Sequence, residues 1–169
     1  MSDAGGLSSE MVKVRDVSMR FGNVEAVQNV SLSVERGRVL GLVGSDGAGK
    51  STLLRMMATM VEPTTGEILI NGLSVSREKH KIKDIIGYMP QRFGLYQDLT
   101  VEENMDFFMD IFDVPRSERA ARKKKYLGFS NLLPFMDRLA GNLSGGMKQK
   151  LGLACVLAHE PQLLILDEP

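Results

Sequence analysis

The segment Gly44-Ser45-Asp46-Gly47-Ala48-Gly49-Lys50-Ser51 constrains the fold of this chain more than any other. It matches G-x-x-x-x-G-K-[ST], a pattern that works as a tight loop between a buried strand and the first turn of a helix. Its glycines let successive backbone N–H groups curl round an anion with no side chain in the way. A helix starting at Lys50 aims its positive end at the same point. Lys50 adds a point charge for β- and γ-phosphate oxygens, the Ser51 hydroxyl suits Mg2+, and Thr52 is placed for the α-phosphate. A Gly-rich strand-to-helix turn with no ligand is the plain alternative.

The flanks agree with that context. Residues 11–18 (MVKVRDVS) alternate like an edge strand, and residues 30–34 (VSLSV) alternate again. Residues 38–43 (RVLGLV) are mostly apolar and predict a buried strand, and residues 51–60 predict a helix. Residues 67–70 form a short strand closed by Asn71-Gly72, a turn pair, and residues 85–89 lead into Pro90-Gln91.

From Thr100 the texture becomes helical. Thr100 with Glu103 three residues on is a capping-box pattern, and Ser117 is the expected cap of a second helix. A third helix is expected over residues 147–159, and a buried strand over residues 163–166 ends at Asp167. The expected division is a disordered tail at 1–10, a core at 11–99 and 143–169, and a helical lobe at about 100–142.

Composition narrows the class. Apolar residues make up 43% and charged residues 25%, as in a soluble globular domain. Lys plus Arg and Asp plus Glu both number 21, so no global charge favours nucleic acid or an anionic membrane. No run approaches the roughly 20 apolar residues that span a bilayer, and the start shows no secretory signal. The one cysteine, Cys155, sits in an apolar run and reads as a small buried hydrophobe. His80 and His159 lack metal-ligand spacing.

The phosphate loop alone is compatible with several nucleotide-binding classes; three later motifs narrow the choice. Leu143-Ser144-Gly145-Gly146-Met147-Lys148-Gln149 resembles the LSGGQ signature of ABC ATPases, with Met147 where Gln is usual and Gln149 two places later. Residues 163–169 (LLILDEP) resemble the Walker B strand. Gln91 stands where that family has its Q-loop, and Phe21, before Gly22-Asn23, where it has an adenine-stacking aromatic. The chain is identified by these four elements, in order, as similar to ABC nucleotide-binding domains, nearest to multidrug-export ATPases with tandem nucleotide-binding domains. A ribosome-associated ATPase of similar layout is also close.

The resemblance implies a P-loop NTPase core of RecA-like type, with an antiparallel β edge and an inserted helical subdomain. ATP and Mg2+ are the implied ligands. Gly44, Ser45, Asp46, Gly47, Ala48, Gly49, Lys50, Ser51 and Thr52 would hold the phosphates, and Phe21 would stack on adenine or else merely cover a strand end. Asp167, with Ser51 and Gln91, would serve Mg2+, and Glu168 would polarise the attacking water. Gln91 and Lys50 complete the catalytic set. Ser144, Gly145, Gly146 and Gln149 would close over ATP held by a second such domain, in a homodimer or a tandem pair. Asp46 departs from the commoner Asn, and Ser45 from the commoner Pro. An outward-facing Asp46 predicts that Asp46→Asn changes ATP affinity by less than about tenfold.

The stretch from Phe93 to Phe112, rich in Met and aromatics, reads as helical core or as a groove for a coupling helix of a membrane permease. Residues 122–125 (RKKK) read as a solvated helix face, with RNA or lipid contact the sharper alternative. The family's switch histidine follows the Walker B strand, and the sequence given stops at Pro169, so a fragment is expected, with weak Mg-ATP binding and negligible turnover. Export through a permease at the inner face of the plasma membrane is the implied role. A soluble ribosome-associated ATPase is the alternative.

Overall fold

The computed structural model describes residues 9–168. Most of the expected tail lies outside these residues, and Glu10 already belongs to the first strand. The described residues form two compact units, one up to Ile85 and one from Ile86.

The first unit is built on an antiparallel sheet. Strand β1 (Glu10–Phe21) and strand β2 (Val24–Glu35) form a hairpin closed by Gly22-Asn23. β3 (Thr65–Ile70) pairs with the other side of β1, and the short β4 (Leu73–Ser74) pairs with β3. The order β2-β1-β3-β4 makes β1 an interior strand, which corrects its expected place at an edge. Its apolar residues explain this: Met11, Val12, Val14, Val17 and Met19 are all buried. The Asn71-Gly72 turn joins β3 to β4 with both residues left-handed (φ 51° and 77°), as such two-residue hairpins require.

Helix α1 (Lys50–Met57) follows the phosphate loop and buries Leu53, Met56 and Met57. A short helix α2 (Lys79–Lys83) buries Ile82. Residues 38–43 do not form the expected buried strand. They lack regular structure, and Val39 and Val43 are 100% and 99% exposed. A strand buried on both faces needs ladder partners, and no described strand pairs with this segment.

The second unit holds a parallel pair, β5 (Ile86–Met89) and β6 (Leu163–Leu166), with Ile86 opposite Leu163 and Met89 opposite Leu166. Only Ile165 of β6 is fully buried, so this strand is less covered than its composition predicts. Helices α3 (Val101–Ile111), α4 (Arg116–Phe129) and α5 (Gly145–Leu157) share one apolar core around Met105, Met109, Leu127, Leu132, Leu151 and Cys155. Burial pushes the Cys155 thiol far above its ordinary value, in keeping with an inert hydrophobe.

Helix ends follow local chemistry. At α3 the Glu103 N–H donates to Thr100 Oγ1 at 3.1 Å and the Thr100 N–H donates to Glu103 Oε2 at 2.8 Å, the full capping box. That backbone bond from Thr100 holds the Glu103 carboxyl below the usual carboxylate range. At α4 the expected cap fails: Pro115 occupies that position and Ser117 lies inside the first turn. Pro115, with φ −56°, fixes the chain's entry, and its carbonyl accepts from Glu118 N–H at 2.9 Å. α5 starts two residues earlier than expected because Ser144 caps it, accepting from Met147 N–H at 3.3 Å.

Candidate functional site

The phosphate loop is shaped by its backbone. Gly47 and Gly49 are left-handed, at φ 78° and 85°. Gly49 is doubly required, since a Cβ there would stand 2.1 Å from the Ala26 carbonyl oxygen of β2. With Gly49 as its N-cap, α1 begins at Lys50, so the positive end of the helix faces the loop. Lys50 Nζ folds back and donates to the Gly44 and Ser45 carbonyls, each at 2.8 Å. Gly44, Ser45, Asp46, Gly47 and Ala48 are exposed, and Ser51 and Thr52 half-buried. Phe21 ends β1 at the hairpin tip, opposite Val24, and is 50% exposed with its ring free to stack.

The ends of β5 and β6 bring the second set together. Asp167 N–H donates to the Met89 carbonyl at 2.9 Å, extending the ladder by one rung. The Asp167 side chain is buried, and its Oδ2 accepts from the Tyr88 hydroxyl at 3.2 Å. One residue on, Glu168 turns left-handed (φ 51°), and its Oε2 accepts from Gln91 Nε2 at 2.8 Å. Gln91 and Glu168 are both exposed. A buried carboxylate beside an exposed one, each bonded from the neighbouring strand's end, is thus built by four side chains.

The N-terminus of α5 presents Ser144, Gly145, Gly146 and Gln149 to solvent. Open space surrounds the place where a Cβ would stand on Gly145 or Gly146. Seven residues further along the helix, Gly152 seats Phe93: a Cβ there would lie 2.9 Å from the ring's Cδ1. Phe93 stacks at a tilt on Phe108 (5.0 Å), Phe107 meets Phe108 edge-on (5.5 Å), and Tyr96 packs on Phe107 (4.3 Å). The stretch from Phe93 to Phe112 therefore divides. Met105 and Met109 face the core, while Tyr96, Ile111 and Phe112 face outward.

Residues 122–125 are only in part the solvated basic face expected of them: Lys124 and Lys125 are exposed, whereas Arg122 and Lys123 are not. Arg122 pairs with Glu118 and Glu160, Lys123 with Glu102 (2.6 Å) and Asp106 (3.0 Å), and Lys125 with Glu160 (2.6 Å). The Arg122 and Lys123 side chains are largely covered because acidic residues of α3 and of the turn after α5 meet them.

Tyr88 and Asn104 are residues that motif reading passes over. Asn104 is fully buried and ties down the loop before α3: its amide donates to the Tyr96, Leu99 and Thr100 carbonyls and its Oδ1 accepts from Tyr96 N–H. The one sequence signal for it is a polar residue on an otherwise apolar helix stripe.

Comparisons with known proteins follow the same lines. Over residues 27–169 the chain matches the family model described as ABC transporter. It is 43% identical over 165 residues to the probable multidrug ABC transporter ATP-binding protein YbhF of Escherichia coli, covering 96% of this chain and 28% of that protein. It is 39% identical over 166 residues to the methionine import ATP-binding protein MetN 1 of Bacillus cereus, covering 94% of this chain and 48% of that protein. Among solved structures it superposes on CbiO1 of Clostridium perfringens, described as part of the ABC transporter complex CbiONQ, with a TM-score of 0.85 and 27% identity, over 96% of this chain and 66% of that one. The chain thus spans between about a quarter and two thirds of the length of these proteins. The matched family model and the α/β fold lead to one statement of kinship: this chain belongs to the ABC transporter family.

Proposed function

We propose that this chain binds Mg-ATP and, paired with a second domain of its kind, hydrolyses it to drive a membrane permease. The observation that carries the reading is the phosphate loop: a left-handed Gly49, a helix starting at Lys50 and a lysine poised on the loop carbonyls. A helix N-terminus and an ammonium at one loop suit a polyphosphate. When ATP enters, Lys50 exchanges its two carbonyl acceptors for phosphate oxygens.

The donor set fits Mg2+, which prefers hard oxygen ligands and takes one or two carboxylates together with substrate phosphate. Ser51 and Asp167 are each proposed as ligands, Asp167 through water, with Gln91 close to the same chemistry. Bound Mg2+ would neutralise charge building on the phosphates. Glu168 is proposed to accept a proton from the attacking water, and Gln91, already bonded to it, to orient the two. Phe21 is proposed to stack on adenine. Ser144, Gly145, Gly146 and Gln149 are proposed to contact ATP held by the second domain, since an exposed helix N-terminus is an anion site in waiting. The division into a core (11–99 and 143–169) and a helical lobe (about 100–142) belongs to the same reading.

Export is the direction we favour, on the 43% identity to a probable multidrug ATP-binding protein. An importer relative at 39% makes direction the next thing to test. The outward aromatics near Tyr96 are proposed as the permease contact. Among the described residues no helix is long and apolar enough to cross a membrane, so the permease would supply the spans and hold the chain at the inner face. The ribosome alternative loses its footing because most of the basic run is engaged in ion pairs within the chain.

A titration with a fluorescent ATP analogue tests the reading. Saturable binding that falls at least about tenfold in Lys50→Ala is the expected result, in line with losing a charge-assisted contact. Binding equal in both proteins would refute it.

A further inference from the structure

We infer that Tyr88 is a positioning residue for Asp167. It fixes the buried carboxylate through its hydroxyl and so sets the affinity of this site for a divalent cation. The inference rests on the proposed role of Asp167 as a Mg2+ ligand.

The placement follows from the parallel register. Tyr88 lies opposite Ile165 on β6, and side chains two apart on a strand share a face. Asp167 is two residues beyond Ile165, so the phenol and the carboxylate project on the same side of the sheet. Their hydroxyl-to-Oδ2 distance of 3.2 Å is the outcome. Asp167 is only 2% exposed, so solvent does little to orient it. Its backbone N–H is fixed on Met89. The Tyr88 ring is half-buried beside a strand and has few alternative rotamers.

A carboxylate offers about four lone-pair sites, and the phenol takes one. A donor of this kind selects one rotamer of the ligand before the cation arrives, so less ordering is left for the binding step. Gln91 holds Glu168 in parallel fashion, at 2.8 Å, from the same end of β5. The two bonds come from residues three apart, either side of Pro90, so the end of β5 sets both carboxylates at once.

The test is a Mn2+ titration of the full chain with ADP present, with free Mn2+ read by electron paramagnetic resonance. Tyr88→Phe keeps the ring and removes the hydroxyl. Half-saturation should move to about tenfold higher Mn2+, the size seen when a group supporting a metal ligand is lost. Nucleotide affinity without metal should stay unchanged, and in an Asp167→Asn background Tyr88→Phe should have no further effect. A purely structural tyrosine would lower the thermal midpoint and leave the Mn2+ curve in place, and that result overturns the inference. If Asp167→Asn alone leaves Mn2+ uptake untouched, the ligand role of Asp167 fails and the role of Tyr88 falls with it. Labelling with 3-fluorotyrosine gives a readout independent of the folding of Tyr88→Phe. Of the three tyrosine signals, that of Tyr88 should move when Mg2+ is added to the nucleotide-loaded chain, with Tyr96→Phe and Tyr126→Phe identifying the other two. A stationary signal contradicts the inference.

Discussion

Gln91 Nε2 donates to Glu168 Oε2 at 2.8 Å, joining the residue two places beyond β5 to the residue two places beyond β6. The bond orients the carboxylate proposed as general base. Gln91→Ala should therefore reduce turnover of the assembled ATPase by about ten- to a hundredfold, the range of a lost positioning contact at a proton-transfer site. Nucleotide affinity should change far less. Phosphate release and a fluorescent-nucleotide titration, run on the same variant, separate the two effects.

Gly49 carries the conformation of the phosphate loop. Its φ of 85° and the Ala26 carbonyl oxygen 2.1 Å from any added Cβ both exclude a side chain. Gly49→Ala should destabilise the chain by at least about 2 kcal/mol, combining left-handed strain with displacement of β2. Urea unfolding measures it. Gly47→Ala, left-handed but in open space, should cost about 1 kcal/mol, so the pair isolates the contribution of the Ala26 contact.

Phe93 and Gly152 test the packing between the loop after β5 and the helix α5. A methyl at 152 would meet the ring's Cδ1 at 2.9 Å and Cγ at 3.0 Å, near its stem rather than its flexible end. Gly152→Ala should cost about 1–3 kcal/mol as an overpacked site. Phe93→Leu should recover part of that loss in the double variant, and a thermodynamic cycle on the two substitutions reads the coupling.

What was legible in sequence was local chemistry. Gly44 to Ser51 marks its own loop, Thr100 with Glu103 marks the start of α3, and Asn71-Gly72 marks a hairpin. Each depends on residues a few positions apart. The expectations that failed depend on partners distant in sequence. Residues 38–43 have the composition of a buried strand, but burial requires ladder neighbours. β1 alternates like an edge strand yet has a neighbour on each side. Arg122 and Lys123 of α4 look solvated until Glu160 and the acidic residues of α3 are brought against them. Tyr88 is unremarkable until β6 is laid parallel to β5 and Asp167 falls on its face. Ser117 failed for a different reason: Pro115, two residues earlier, had already set the helix start.

His159 gives the fold a pH dependence. Its ring stacks on Phe112 (3.8 Å between centres), and Nε2 lies 3.0 Å from the Ile86 carbonyl, so Nε2 must carry the proton. Nδ1 is buried with no hydrogen-bond partner, and Arg122 is close by. Desolvation, aided by the Arg122 charge and opposed by the Ile86 bond, lowers the imidazole below its ordinary value of 6.5. The unfolded chain then binds the proton more readily than the folded one. Stability from this residue is complete above about pH 6.5 and is lost as pH falls from there through the folded value. Thermal unfolding from about pH 8 to pH 5 should show a steeper acid-side decline for the wild type than for His159→Gln. Parallel curves would refute the assignment.

The proposed coupling of ATP binding to movement of a membrane partner is tested most directly by Glu168→Gln. The substitution keeps the shape of the side chain and removes the proposed base, so ATP should bind and persist. The variant, isolated from cells with ATP, is predicted to retain a second nucleotide-binding domain and an integral-membrane permease, both released when ATP is withdrawn. Ribosomal subunits retained in place of any membrane protein, or no partner whose presence depends on ATP, would contradict the account.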